Sequence, residues 1–464
     1  MRRNHPLIKL FMLSWFGFLA LACNLASSSV PPTIVPRMTD TPLPTIAYAT
    51  LAPEELPAQQ SAPNPTTPLN GDLTDLLNLV ESDRLLIHVD ALMNFQTRHV
   101  NSPNHPTTGI RAAYEYIRGE FEKIRQNSNG NFQVTPLPFI LNWNGLETQQ
   151  YNIIGLIPGQ AIGGGVIVIG AHYDSVSLDW NDGSSYAPGA NDNASGVAAL
   201  IELARILSTR PHRATIMLVA FSAEEVGRQG SQAFVRYLKD RNIQIDAMFS
   251  LDIIGSSTGP NGEVIEDQIR LFSSGPNEGV EMSKSRALAR AVQFYNTMYF
   301  PTMRVIMEDA QDRLGRYSDH MSFNDAGFPA VRFIEPMEDL KRQHTPNDTI
   351  DDVQPTYLAR STKVVLAAVT ALADGPPPPN QLVLRSNNQG TRTLVWEPSP
   401  GAASYRVALR RPGGLTFLPN ESFAWMGNSV DWEGFVPTLF AGVVVFAVDE
   451  NGLMGPPSQE IIIP

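Results

Sequence analysis

The sequence predicts an α/β fold: a three-layer α/β/α sandwich around a mostly parallel mixed sheet, followed by a small C-terminal β-sandwich. Three observations carry this. Short β-branched apolar runs alternate with longer helical patterns between residues 73 and 374, as where helices cover both faces of a sheet. Two runs, 166–171 and 214–220, are apolar almost without a break, as in parallel strands buried on both faces. Beyond the proline run at 375–379, short strand-like runs recur between turn residues, the spacing of a sandwich.

The chain begins Met1-Arg2-Arg3, with Lys9 adding charge before an apolar stretch at 10–22. That is the make-up of a secretory signal, shorter than the roughly 20 residues of a membrane-spanning helix. It closes in Leu19-Ala20-Leu21-Ala22-Cys23. This resembles a bacterial lipobox and predicts an extracytoplasmic protein, held on the membrane by a lipid at Cys23 or otherwise secreted. Cys23 is the only cysteine, so no internal disulfide can form. Residues 24–72, rich in Ser, Thr, Pro and Ala, bury too little surface to fold and read as a tether.

Helical patterns at 73–93 and 110–124 open a region of about 300 residues, ample for one self-contained core. Strands are expected at 153–157, 166–171, 214–220, 248–251, 269–272, 304–306 and 330–334, with a helix over 197–207 and a closing helix over 358–372. The proline run at 375–380 reads as a stiff spacer. Residues 381–464 carry strand-like runs at 394–396, 405–409 and 443–448. The net charge is −12, and no basic stripe with interleaved aromatics is present, which argues against a nucleic-acid partner.

The chemistry-bearing residues fall at predicted strand ends or in the loops that follow. Glu224 and Glu225 come just after the 214–220 strand. Neighbouring carboxylates in an apolar setting repel unless a cation offsets them. His172 and Asp174 close the 166–171 strand, Asp192 sits in Gly189-Ala190-Asn191-Asp192-Asn193 before a helix, and Asp252 ends the 248–251 strand. His344 opens the polar loop His344-Thr345-Pro346-Asn347-Asp348. Imidazole and carboxylate without thiolate suit zinc, with cobalt, nickel or manganese as substitutes. Two His and three acids exceed one tetrahedral zinc and suit two ions that share a bridging carboxylate.

In order and wording these motifs resemble the M28 family of co-catalytic zinc metallopeptidases, the bacterial leucine-type aminopeptidases in particular, over residues 73–374. The resemblance implies two Zn2+ per chain. Asp192 would bridge them, His172 and Asp252 would complete one ion, and Glu225 and His344 the other. Glu224 would be the general base and acid, acting on peptides with a free N-terminus. Asp174 would orient the His172 imidazole, and Ser318-Asp319-His320 would match a supporting Ser-Asp-His element. A cis peptide at Asp192-Asn193 is also implied. Asn191 and Asn193 depart from the acidic residues usual on either side of the bridge. Tyr317 is a candidate for polarising the scissile carbonyl, or simply an aromatic packed nearby. Glutaminyl cyclisation and carboxypeptidase action are alternatives on the same fold, and a non-catalytic receptor is a third. Residues 381–464 resemble a fibronectin type III module, with Trp396 and Tyr405 in its second and third strands. Such a module could bind a surface or polymer or serve as a plain spacer.

Overall fold

The computed structural model describes residues 73–273, 283–308, 317–386 and 391–464. The signal-like segment, Cys23 and the tether lie outside the described residues.

The chain opens with α1 (Leu73–Leu77) and α2 (Ser82–Met93), where the sequence pattern predicted one continuous helix. The break is held from outside the segment: the Glu81 backbone N–H donates to the Glu202 carboxylate at 3.0 Å. Next come α3 (Gly109–Asn127), then β1 (Gln133–Trp143) and β2 (Leu146–Ile157), which pair as a hairpin. β1 was not foreseen, because Pro136 and Pro138 interrupt it. It sits at the sheet edge, where a missing N–H costs no ladder bond on the solvent side.

The rest of the sheet is β3 (Val166–His172), β4 (Thr215–Phe221), β5 (Ala247–Leu251), β6 (Gln268–Phe272), β7 (Arg304–Glu308) and β8 (Ala330–Ile334). The strand order is β1-β2-β4-β3-β5-β8-β6-β7. The central pairs β4–β3, β3–β5 and β5–β8 are parallel. Between the strands lie α4 (Ser195–Leu207), α5 (Gln229–Asp240), α6 (Lys284–Tyr299), α7 (His320–Asn324) and, last, α8 (Pro355–Asp374).

Strand alternation divides the core into two layers. Ile167, Ile169 and Ala171 of β3 face the core shared with α2, α3, α4, α6 and α8. Val168 faces the layer under α5 and α7, with Phe234, Leu238 and Phe323. Both faces are covered, so the central strands read as unbroken apolar runs.

The C-terminal residues form two antiparallel sheets. One joins β9 (Val383–Ser386), β10 (Arg392–Val395) and β13 (Ser429–Trp432). The other joins β11 (Ser404–Arg410), β12 (Phe423–Trp425), β14 (Gly442–Val448), β15 (Met454–Pro457) and β16 (Ile461–Ile462). Trp396 packs edge-on to Tyr405 between them, with ring centroids 5.2 Å apart.

The second sheet is buried on both faces. Val443, Val445 and Ala447 point into the inner core of the β region, whereas Val444 and Phe446 belong to the main core of the α/β body. Phe446 stacks on Phe294 of α6 at 5.1 Å, and the Tyr295 hydroxyl donates to the Gly455 carbonyl at 2.7 Å. Glu460 bridges the buried guanidinium groups of Arg290 on α6 (2.9 Å) and Arg410 on β11 (2.8 Å). The stiff spacer expected at 375–380 is packed at its start. Gly375 and Pro376 are buried, and the backbone passes so close to Gly455 that a Cβ at Gly375 would meet the Gly455 Cα.

Candidate metal centre

The parallel pairing of β4, β3 and β5 brings their C-terminal ends to one edge of the sheet, where open α/β sheets hold their ligands. His172 is the last residue of β3, and Asp252 directly follows β5. Glu224 and Glu225 lie in the turn after β4, and His344 in the loop after β8. Asp192 comes from the turn before α4, where a cis peptide joins it to Asn193. Ala223, Ile253 and His344 have φ near +60° (62°, 59° and 59°). For non-glycine residues this is a costly conformation that persists only where neighbours hold it. At Ile253 the holders are visible: its N–H donates to Asn193 Oδ1 at 3.2 Å, and its carbonyl accepts from Glu335 at 2.8 Å.

All five expected ligands converge. The donor atoms of His172, Asp192 and Asp252 lie within 4.8 Å of one another, and so do those of Asp192, Glu225 and His344. His172 Nε2 is 3.4 Å from both Asp192 Oδ1 and Asp252 Oδ1. His344 Nε2 is 3.3 Å from Asp192 Oδ2 and 3.1 Å from Glu225 Oε2. Asp192 thus turns one oxygen to each group. Glu225 Oε1 and His344 Nε2 are buried without a hydrogen-bond partner, and buried polar atoms are normally satisfied. Nitrogen and carboxylate donors, shared through one aspartate, fit a pair of zinc-sized ions.

The charges are held by compensation. Burial opposes ionisation of Asp192, but His172 and His344 outweigh it and hold its carboxyl well below the usual range. Burial likewise opposes Asp252, which Arg332 and His172 pull down; Arg332 stands 3.1 Å from it. Burial disfavours the His344 cation, yet Glu225 and Asp192 raise the imidazole to about 11. Burial raises the Glu225 carboxyl, with His344 opposing, and Glu224 shifts the same way. Burial, reinforced by Asp319, Asp252 and Glu225, pushes its carboxyl well above the usual value, with His172 opposing.

The supporting residues differ in part from expectation. Asp174 does approach His172 Nδ1, at 3.5 Å. Its firmer bonds are elsewhere: its two oxygens accept the backbone N–H groups of Glu224 (3.0 Å) and Glu225 (3.1 Å). Asn191 and Asn193 act as amides that an acid could not replace in kind. Asn193 donates to the Leu251 carbonyl at 2.9 Å and Asn191 to Glu335 at 2.7 Å, while their oxygens accept backbone N–H groups. Ser318 meets Ser250 at 3.1 Å. Asp319 is fully buried with neither oxygen in hydrogen-bond geometry, and burial raises its carboxyl to about 7. His320 is neutral, pushed down to about 3 by burial and Arg332. Tyr317 lies against Arg228, whose guanidinium is 5.7 Å from its ring centroid.

Sequence reading missed four contributors. Arg98 is fully buried and donates to the carbonyls of Tyr173 (2.7 Å), Leu92 (3.3 Å), Pro188 and Gly189 (2.9 Å). Asp348 accepts the backbone N–H groups of Asn191 and Asp192. Arg332 balances Asp252. The half-exposed Trp180 stands edge-on to His344, 5.9 Å between centroids. Asp348 lies inside the histidine motif and was within reach of sequence reading; a lone Arg98 carried no local signal.

A family model for peptidase family M28 matches residues 152–369. A probable zinc metalloprotease of the fungus Pyricularia oryzae is 31% identical over 485 residues, covering 94% of this chain and 95% of its own. Another, from Leptosphaeria maculans, is 33% identical, covering 69% and 82%. The chain belongs to peptidase family M28. Solved structures of bacterial proteins are also similar to it. LapB from Legionella pneumophila has a TM-score of 0.53 at 21% identity, covering 67% of this chain and 78% of its own. The aminopeptidase from Aneurinibacillus sp. strain AM-1 has a TM-score of 0.50 at 20% identity, covering 65% and 96%. At these identities the likeness is one of fold. The M28 match contains His172, Asp192, Glu224, Glu225, Asp252 and His344.

Proposed function

We propose that this M28 peptidase is a co-catalytic two-zinc aminopeptidase that removes N-terminal residues from peptides. The observation that carries the reading is the sharing of Asp192 between two three-residue donor groups, with Glu224 next to Glu225 in the same turn. His172, Asp192 and Asp252 would hold one ion, and Asp192, Glu225 and His344 the other. Bound zinc supplies Lewis acidity toward the scissile carbonyl and the attacking water. Glu224 then takes the proton of the attacking water and returns it to the leaving amine. Asp174 keeps Glu224 and Glu225 aimed by holding both of their backbone N–H groups.

The preference for a free N-terminus rests on charge. Arg332 already neutralises Asp252, so the remaining attraction for the substrate's amino group comes from the glutamate pair, Glu224 and Glu225. Hydrolysis of a panel of aminoacyl-anilides and of their N-acetylated counterparts tests this. Cleavage of free-amine substrates alone supports an exopeptidase, and equal cleavage of blocked ones overturns it. Glutaminyl cyclase activity is read as ammonia release from peptides with an N-terminal Gln, and carboxypeptidase activity with N-blocked peptides that have a free C-terminus.

We further propose an extracytoplasmic setting with the mature chain anchored by lipid at Cys23, on the strength of the residues before it. Mass spectrometry of the native N-terminus decides it: an unmodified terminus cut elsewhere refutes the anchor. The fibronectin-like reading of 381–464 draws support from Trp396 packed on Tyr405 between two antiparallel sheets. The shared core with α6 favours a stabilising role over capture of a surface or polymer.

A further inference from the structure

Two buried carboxylates stand in matching places. Asp174 lies two residues after His172 and grips the backbone of Glu224 and Glu225. Asp348 lies four residues after His344 and grips the backbone of the bridging residue. Asp348 Oδ1 accepts the Asn191 N–H at 2.7 Å and Oδ2 the Asp192 N–H at 3.0 Å, while its own carbonyl accepts the Ala190 N–H at 3.1 Å. Arg98 pins the other side of the same turn through the Pro188 and Gly189 carbonyls. Each clasp therefore joins the segment of a histidine donor to the segment of an acidic one.

We propose that Asp348 is a positioning residue that fixes the Asp192 carboxylate against the His344 loop, so that Asp192, Glu225 and His344 are preassembled for metal. The proposal rests on the two-zinc reading. Its physical basis is that Asp192 turns one oxygen to each donor group, so a small rotation of its backbone would misalign both. Outer partners of metal ligands typically contribute 10–100-fold in metal affinity. The two Asp348 bonds restrain the backbone N–H side of the Asp192 turn, and Arg98 restrains its carbonyl side.

The test is zinc titration of the full chain against a chromophoric chelator, for wild type, Asp348→Ala and Asp348→Asn, with thermal melts of the metal-free proteins alongside. Wild type is expected to take two ions. Asp348→Ala should lose about 10–100-fold in affinity for at least one of them. Asp348→Asn, of nearly the same shape and with one acceptor oxygen left, should fall between the two. That graded rescue in metal affinity is what a merely structural residue would not show. If Asp348→Ala does not fold, Asp348→Asn decides alone. Two ions bound with wild-type affinities by a folded variant overturn this proposal and leave the two-zinc reading intact. Saturation of wild type at one ion overturns both. If neither variant folds even in saturating zinc, Asp348 serves the fold and the proposal fails.

Discussion

Glu224 and His344 are the two residues whose protonation matters most to the site. Among the described residues no ion pair or hydrogen bond is made by the Glu224 carboxylate, and its raised carboxyl suits a group that must both accept and release a proton. Glu224→Gln should retain zinc and the fold but lose about 10²–10⁴ in turnover; near-normal hydrolysis of leucyl-anilide by this variant would show that another group is the base. His344 carries the pH dependence. Its imidazole is raised from 6.5 to about 11 in the metal-free fold, so it contributes stability below pH 6.5 that is lost as pH rises toward 11. Asp319, raised from 3.8 to about 7, acts in the same direction over its lower window. The depressed Asp192 and Asp252 act the other way, losing their contribution as pH falls below the ordinary carboxyl range. Metal-free protein should therefore melt lower at pH 9 than at pH 5. Zinc, which needs His344 neutral, should raise the melting temperature more at pH 9. Calorimetry with and without chelator reads both, and a zinc-induced shift that shrinks with pH would contradict the assignment of His344. The residues that converge in the two donor groups were legible because each falls at a strand end or in a short motif. Arg98 and Arg332 were not, since a buried cation declares its purpose only when its partners from distant segments are in place.

Among the elements, the turn before α4 does most to place the site. Gly189 has φ 55°, and a Cβ there would run into the Asp192 carbonyl and lie 2.7 Å from the Arg98 guanidinium. Gly189→Ala should therefore shift the bridging aspartate and weaken zinc binding by about tenfold or more, with far-UV circular dichroism unchanged. Unaltered zinc affinity in a folded Gly189→Ala protein would mean that the turn tolerates displacement. Strands β3, β4, β5 and β8 were readable from sequence because burial on both faces makes them continuous apolar runs. β1 was not, because its two prolines are tolerated only at an edge that the pairing creates. The split between α1 and α2 was hidden for a similar reason: the contact that ends the first helix comes from Glu202, far along the chain.

At the scale of the whole molecule, the α/β body and the C-terminal sheets are built around common residues. Phe294 and Tyr295 of α6 pack on Phe446, and Arg290 shares Glu460 with Arg410. A chain ending at Asp374 would expose that aromatic face, the kind of apolar patch that drives association. Residues 73–374 alone should be poorly soluble or lack a cooperative melt, contrary to the self-contained core that their length suggested. A monomeric, cooperatively melting fragment would contradict the shared core. The sequence showed where the β region starts but not that its second sheet is buried on both faces. The apolar run 443–448 reads equally as one strand of an independent sandwich. The central claim is that the chain assembles two metal sites around one shared aspartate, and the most direct measurement is zinc stoichiometry of the full chain by equilibrium titration with elemental analysis. The account predicts saturation at two equivalents in wild type and loss of binding at both sites on Asp192→Ala. Saturation at one equivalent, or an Asp192→Ala protein that still holds two ions, would contradict it.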